Sequence, residues 1–217
     1  MKTSTIARLH FILLIGFAVC FAFPYAANAQ TDVRRISITH DAPHDALSSY
    51  TVDSNSIINI KGTAPLHNWG MTAHAFTGTA KFSFDENKEL SAVSEFSLNL
   101  PVHNLKSEDR GMEKSAYKAL KEDKFKDIIF ELTSAKFIKS GSEHYLILLH
   151  GNLTMAGVTQ PTTLKTSACV NKDGTILCTG SLPLFLSDYN IERPSFLLGT
   201  VKVGDVLVLN YNLLLVK

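Results

Sequence analysis

Cysteine, net charge and long apolar runs are all scarce in this chain. Of its 217 residues, three are Cys and one is Trp. Lys and Arg number 21 against 20 Asp and Glu, a formal net charge of +1. So balanced a chain sets up no broad positive field, which argues against nucleic acid or an anionic lipid surface as its main partner. Beyond residue 29 no run is long and apolar enough for a membrane-spanning helix, which takes ~20 residues. Catalytic motifs are missing too: there is no G-x-S-x-G, H-E-x-x-H, C-x-x-C, P-loop or G-x-G-x-x-G. A hydrolase or metal enzyme would rest on scattered histidines alone, and no cofactor or metal is implied.

The one long apolar run stands at the start. Lys2 and Arg8 flank the approach to Phe11–Phe23, and Ala27-Asn28-Ala29 follows. A charged n-region, an apolar h-region and an A-x-A site predict a cleaved signal peptide over residues 1–29. The mature chain would begin at Gln30, in the periplasm or outside the cell. The run is too short for a membrane anchor, and Phe17-Ala18-Val19 makes a poor lipobox for Cys20. Cleavage removes two bases and no acid, leaving 19 against 20 in 188 residues, ample for one core. Residues 30–49 are polar and mixed and read as a leader or linker, with a short strand at Arg35–Ile38. Its HDAPHD run holds His40, Asp41, His44 and Asp45, but Pro43 breaks the helix that would align the two histidines. A solvated tail is the reading there. The domain proper spans residues 50–217.

Cys169 and Cys178 remain after cleavage. An exported pair reads as a disulfide. Asp173-Gly174 between them is a two-residue hairpin signal. That loop places Lys172 opposite Thr175 and Cys169 opposite Cys178, in a non-hydrogen-bonded pair whose Cα atoms lie ~4.5 Å apart.

The rest alternates with period two. In TAHAFTGTAKFSFD, His74, Phe76, Gly78, Ala80, Phe82 and Phe84 share one face, and Thr77, Thr79, Lys81 and Ser83 the other. LSAVSEFSLNLPV repeats the pattern with Leu90, Ala92, Phe96, Leu98 and Leu100. Further strands are predicted at Thr51–Gly62, Ile128–Phe137, His144–Thr154, Val158–Val170, Thr175–Leu186 and Val203–Val216. Ser107–Glu122 reads as the helix, capped by Ser107, with a narrow stripe of Met112, Ala116 and Leu120. About eight strands of some ten residues, with no βαβ alternation, predict a mainly all-β chain folded as an antiparallel barrel or sandwich. His74 falls on the apolar face, where it would meet a ligand head or a backbone carbonyl. His67 sits beside Trp69 in a turn at the rim.

Three stretches carry a family resemblance. GNLTMAGVTQPTTL resembles the G-x-L-T-x-x-G-V-T-x-P pattern of the YceI-like family of exported bacterial proteins, described as lipid or polyisoprenoid binding. SDYNIERPSFLLGTVKVGDVLVLNYNL resembles the family's ending, and YTVDSNSIINIKGTAPLHNWG its beginning, including His67 and Trp69. The middle, with Arg110-Gly111-Met112 and KALKEDKFKDIIF, departs from the commonest pattern and resembles a divergent branch. The resemblance implies a lipocalin-like extended barrel of about eight strands with one α-helix, holding a polyisoprenoid-like ligand in its lumen. The candidate lumen residues are Trp69, His74, Phe76, Gly78, Ala80, Phe82, Phe96, Leu98, Leu100, Phe130 and Leu184.

Two functions stand against each other. One is a non-enzymatic carrier or store of a lipophilic ligand. The other is an interaction module with a packed barrel; a homodimer is among the assemblies the sequence allows. Gly78 and Ala80 point inward mid-strand, where a packed core would take bulk. Glycine in a strand marks close approach, of a ligand or of a neighbouring large side chain.

Overall fold

Alternation along the sequence becomes alternation of burial in the computed structural model, which describes residues 46–65, 68–139, 143–196 and 201–217. The signal peptide, the Arg35–Ile38 strand, the HDAPHD run and His67 lie outside the described residues. The strands are β1 (Ala46–Val52), β2 (Ile57–Gly62), β3 (Trp69–Ala73), β4 (Thr77–Phe84), β5 (Leu90–Pro101), β6 (Asp127–Lys139), β7 (His144–Met155), β8 (Val158–Val170), β9 (Ile176–Phe185), the short pair β10 (Ser195–Phe196) and β11 (Val201–Lys202), and β12 (Val206–Val216). In β7 every second residue from Tyr145 to Met155 is buried, as a strand with one face on a core requires. β1 begins inside the segment read as a leader and pairs with β4 from Ala46 onward.

Ten of these strands make one sheet that closes on itself through β1 and β12. They act as eight staves. Thr51 faces Thr79 in β1–β4, and seven residues along, Ile58 faces Ala73, six residues back, in β2–β3. The pairing thus runs through both kinks with a slip of one residue, and each predicted long strand is a bent stave in two pieces. On the other side of β3, Thr72 and Lys106 exchange backbone hydrogen bonds of 2.7 and 2.8 Å, carrying the stave of β5 past its own end. The result is a closed up-and-down antiparallel barrel, in which every stave has a bonded neighbour on both sides.

The closing seam is completed by a side chain. Between β1 and β2 the chain turns at Asp53–Ser56, and the ladder to β12 is interrupted. Asp53 N donates to Leu214 O at 2.8 Å, while Leu214 N donates to Ser56 Oγ at 3.0 Å. Ser56 is only 1% exposed. Its hydroxyl stands in for the missing backbone acceptor.

Two hairpins show how turn chemistry sets register. Met155 faces Val158, and the loop between is Ala156 (φ 52°) and Gly157 (φ 80°), a two-residue type I′ turn. The Asp173-Gly174 hairpin differs from expectation. Asn171 N bonds Thr175 O and Gly174 N bonds Asn171 O, both at 2.9 Å. The loop therefore holds three residues, Lys172 to Gly174, with Gly174 at φ 84°. Asp173 Oδ1 accepts from Thr175 N at 2.9 Å and Oγ1 at 2.8 Å, which holds this longer form and its own carboxyl below the usual range. The extra residue shifts the register by one. Cys169 faces Leu177, and Cys178 faces Ala168. A slip of one sends side chains to opposite faces, so the expected Cys169–Cys178 disulfide is corrected: both thiols are free. Cys178 points inward, where burial pushes its thiol up to about 12; Cys169 is half-buried on the other face.

Two outcomes follow from the seam and the shifted hairpin. Ser56→Ala strands the Leu214 N–H in a buried site and should cost ~1–3 kcal/mol, read as a lowered denaturation midpoint. Titration of the folded mature chain, which lacks Cys20, with a thiol reagent should label Cys169 alone, and Cys178 should react only after unfolding. A native protein with no reactive thiol that yields two after reduction would restore the disulfide.

Candidate functional site

The inside of the barrel is unevenly filled. At one end Phe82, Ile147, Ile176, Leu213 and Leu215 are at most 1% exposed, and Tyr50 packs edge-on against Phe82 with ring centroids 5.4 Å apart. Deeper in, the hydroxyls of Thr166 and Tyr211 satisfy each other at 2.6 Å, and burial pushes the Tyr211 phenol up to about 12. At the other end a cavity of about 80 Å³ remains. Its walls are the stave ends that reach this rim: Ile60, Trp69 and Met71 from β2 and β3, Leu100 and Ile128 from β5 and β6, Leu153 and Met155 from β7, Leu184 from β9, and Leu207 and Leu209 from β12.

A helix roofs this end. α1 spans Arg110–Ala119 and lays the predicted stripe of Met112 and Ala116, with Ala119 and Leu120, over the cavity. Its cap is Asp109, correcting the expected Ser107: Asp109 Oδ1 accepts from Gly111 N at 2.7 Å and Met112 N at 3.3 Å. Ser107 instead ties the approach to the barrel, donating to Gly70 O at 3.0 Å. At the far end Lys121 N bonds Lys118 O and Glu122 N bonds Tyr117 O, a Schellman arrangement with Lys121 in the left-handed position normally given to Gly. Leu186 and Ile191, around the 3-10 turn Leu186–Tyr189, close the remaining gap with Pro194.

Every side chain around the cavity is a hydrocarbon, a thioether or the Trp69 indole. Three of the four methionines line it, Met71, Met112 and Met155, and the fourth is Met1. Methionine is unbranched and polarisable and repacks easily around variable shapes.

Two polar clefts flank this apolar space. The first shares Trp69 and Met112 with it and is lined by Asn68, Thr72, His74, Lys106, Ser107, Glu108 and Asp109. Lys106 Nζ donates to Tyr117 Oη at 3.1 Å, the main reason its ammonium is held above the usual lysine range. Tyr117 Oη in turn donates to Leu105 O at 2.7 Å. The second cleft shares Ala119 and Pro194 with the cavity and carries Lys118, Lys121, Glu192 and Arg193. Lys121 Nζ reaches Asn190 O at 3.5 Å across it.

The predicted lumen residues divide. Trp69, Leu100 and Leu184 line the cavity. Ala80, Phe82, Phe96 and Phe130 are buried at 1–4% exposure but belong to the packed core beyond the cavity, with Phe96 edge-on to Phe130 at 6.1 Å. Phe76 and Leu98 are half-buried against that core. At Gly78 a Cβ would lie 2.6 Å from Leu98 Cδ2 and 2.8 Å from Val52 Cγ2, so neighbouring side chains account for the glycine. His74 is corrected: it is exposed and lines the outer cleft. The segment between β3 and β4 breaks the alternation, so counting back from Phe76 gives the wrong face. The methionines, Ile60, Leu120 and Leu207 went unpredicted as lining. The spacing of Met112, Ala116 and Leu120 was legible as a stripe, but nothing local said that it faced a cavity.

A closed antiparallel barrel, apolar within and roofed by one helix at a single unfilled end, defines the class of small β-barrels built around an enclosed apolar interior. The chain belongs to the YceI-like family: the YceI-like domain matches residues 36–215. The crystal structure of Burkholderia cenocepacia BcnA shares the fold with a TM-score of 0.61 at 17% identity, over 76% of this chain and 99% of that one. A polyisoprenoid binding domain from Saccharophagus degradans, implicated in plant cell wall breakdown, does so with a TM-score of 0.57 at 9% identity, over 76% and 97%. No curated protein matches the chain.

Substitution at two alanines separates packed from open space. Ala80 is 1% exposed against Tyr50 and Phe96, and Ala80→Trp should destabilise by ~1–3 kcal/mol or more through overpacking. Ala116→Leu extends into the cavity by about the volume that is free there and should leave the melting temperature near that of the parent. Equal losses at the two sites would mean that the cavity is closed to additional side-chain volume.

Proposed function

We propose that the protein binds a lipophilic ligand with a polyisoprenoid-like chain, taken into the barrel beneath α1, and carries or stores it without catalysing a reaction. The observation that carries this reading is the methionine-lined apolar cavity under a helical roof. A cavity of about 80 Å³ is small beside ligand pockets of ~300–1,000 Å³. The chain therefore enters by displacing Met71, Met112 and Met155 and lifting α1, and long flexible side chains yield to such a guest at low cost. Membership of the YceI-like family and the shared fold of a polyisoprenoid binding domain support the same ligand class. The signal-like N-terminus supports action in the periplasm or outside the cell, with a mature chain from Gln30. Among the described residues no helix is long and apolar enough to cross a membrane.

One observation favours an interaction module instead. Phe185, Val206 and Val208 are exposed at 46, 44 and 38% and are neighbours on the outer face of β9 and β12, where Phe185 faces Val206 and Pro183 faces Val208. Such an apolar cluster suits a second protein surface.

Native mass spectrometry of the purified mature chain, followed by organic extraction, decides between them. A bound apolar chain molecule is expected, and delipidated protein should take up a prenyl lipid added in cyclodextrin. Ala116→Leu should weaken that uptake while the fold persists. Delipidated protein that binds no prenyl lipid but forms a defined oligomer, lost on Val206→Lys, would favour the interaction module.

A further inference from the structure

Trp69 is the single tryptophan of the chain and stands where the first polar cleft meets the apolar cavity, lining both. It opens β3 directly opposite Gly62 of β2. Its indole lies across that glycine: a Cβ on Gly62 would collide with the ring and sit 2.9 Å from Nε1. The sequence thus leaves out one side chain to seat this ring at the mouth.

The ring nitrogen is the anomaly. Among the described residues, Trp69 Nε1 is the sole buried side-chain nitrogen or oxygen without a hydrogen-bond partner. The other buried polar side chains are matched, Ser56 with Leu214 and Thr166 with Tyr211. An indole N–H can only donate, and leaving a buried donor unmet is costly enough that native structures seldom keep one without a use. Phenylalanine would cover much the same apolar surface and carry no such penalty. The position is therefore built to offer a hydrogen bond at the boundary between polar cleft and apolar cavity, the place where an amphiphile changes from chain to head.

We propose that Trp69 Nε1 donates to an acceptor oxygen at the head–chain junction of the ligand. The inference rests on the lipid-binding reading above and sharpens it: the ligand is a prenyl-type chain ending in a carbonyl, ester or ether oxygen, and not a pure hydrocarbon. The chain lies against Met71, Met112 and Leu153, and the remainder of the head projects into the cleft beside Lys106 and Ser107.

A single tryptophan gives a single indole N–H signal in the spectrum of ¹⁵N-labelled protein. Delipidated protein is titrated with squalene, which has no oxygen, and with a prenylated benzoquinone of matched chain length, each delivered in cyclodextrin. Both probes should bind, but only the quinone should move the indole proton downfield and slow its exchange with solvent. Trp69→Phe should weaken quinone binding about ten-fold, the factor that one net hydrogen bond contributes, and leave squalene binding unchanged. If that variant fails to fold, the two spectra of the parent protein still decide. An indole signal that responds alike to both probes overturns the proposal. So does an equal loss of affinity for both probes in Trp69→Phe. If neither probe binds, the lipid-binding reading fails and this inference with it; if both bind without a difference at the indole, only this inference fails.

Discussion

Everything in this barrel depends on the hydrogen bonding between its first and last staves. β12 bonds β9 on one side and both β1 and β2 on the other. Closure is what removes open edges from strands of this length. The seam is also the hardest place to satisfy, because the first stave bends at Asp53–Ser56 and the ladder loses its regular partners there. Ser56 Oγ repairs it by receiving Leu214 N–H. A small hydroxyl at one position thus lets the stave bend without leaving a buried backbone group unpaired.

The barrel has two ends of different character. One is packed by Phe82, Ile147, Ile176, Leu213 and Leu215 and holds the fold. The other is wide enough to leave a cavity, which α1 roofs from its anchor at Asp109 and Ser107. On the proposed function, stability and binding fall at opposite ends of one core. The packed end tolerates no added volume, whereas the other end is lined by methionine side chains, which repack easily.

Much of the fold was legible because it rests on local chemistry. Period-two alternation located the staves, and Ala156-Gly157 specified its own turn. The stripe of Met112, Ala116 and Leu120 marked the helix face. The site was less legible. Alternation tells which face of a strand points inward, but not how far along the barrel a residue lies. Ala80, Phe82, Phe96 and Phe130 share a face with residues that could reach a ligand, yet they are buried in packed core and none of them lines the cavity. Trp69, Leu100 and Leu184 lie near stave ends, and depth brings them to the cavity. At His74 even the face was lost, since a break between β3 and β4 resets the count.

By itself the sequence determined the mainly all-β class, about eight long strands and the place of the helix, since each follows from residues within a turn or two of one another. The tertiary structure alone decided the register of the Cys169–Cys178 hairpin, the side chain that completes the seam and the position of the cavity. Register there turned on one residue: Asp173 holds a three-residue loop through Thr175, and that slip sends two cysteines to opposite faces. The seam and the cavity depend on residues far apart in the chain, such as Ser56 with Leu214 and Ile60 with Leu184. Such pairs meet only after the barrel has closed, so no local pattern can encode where they fall.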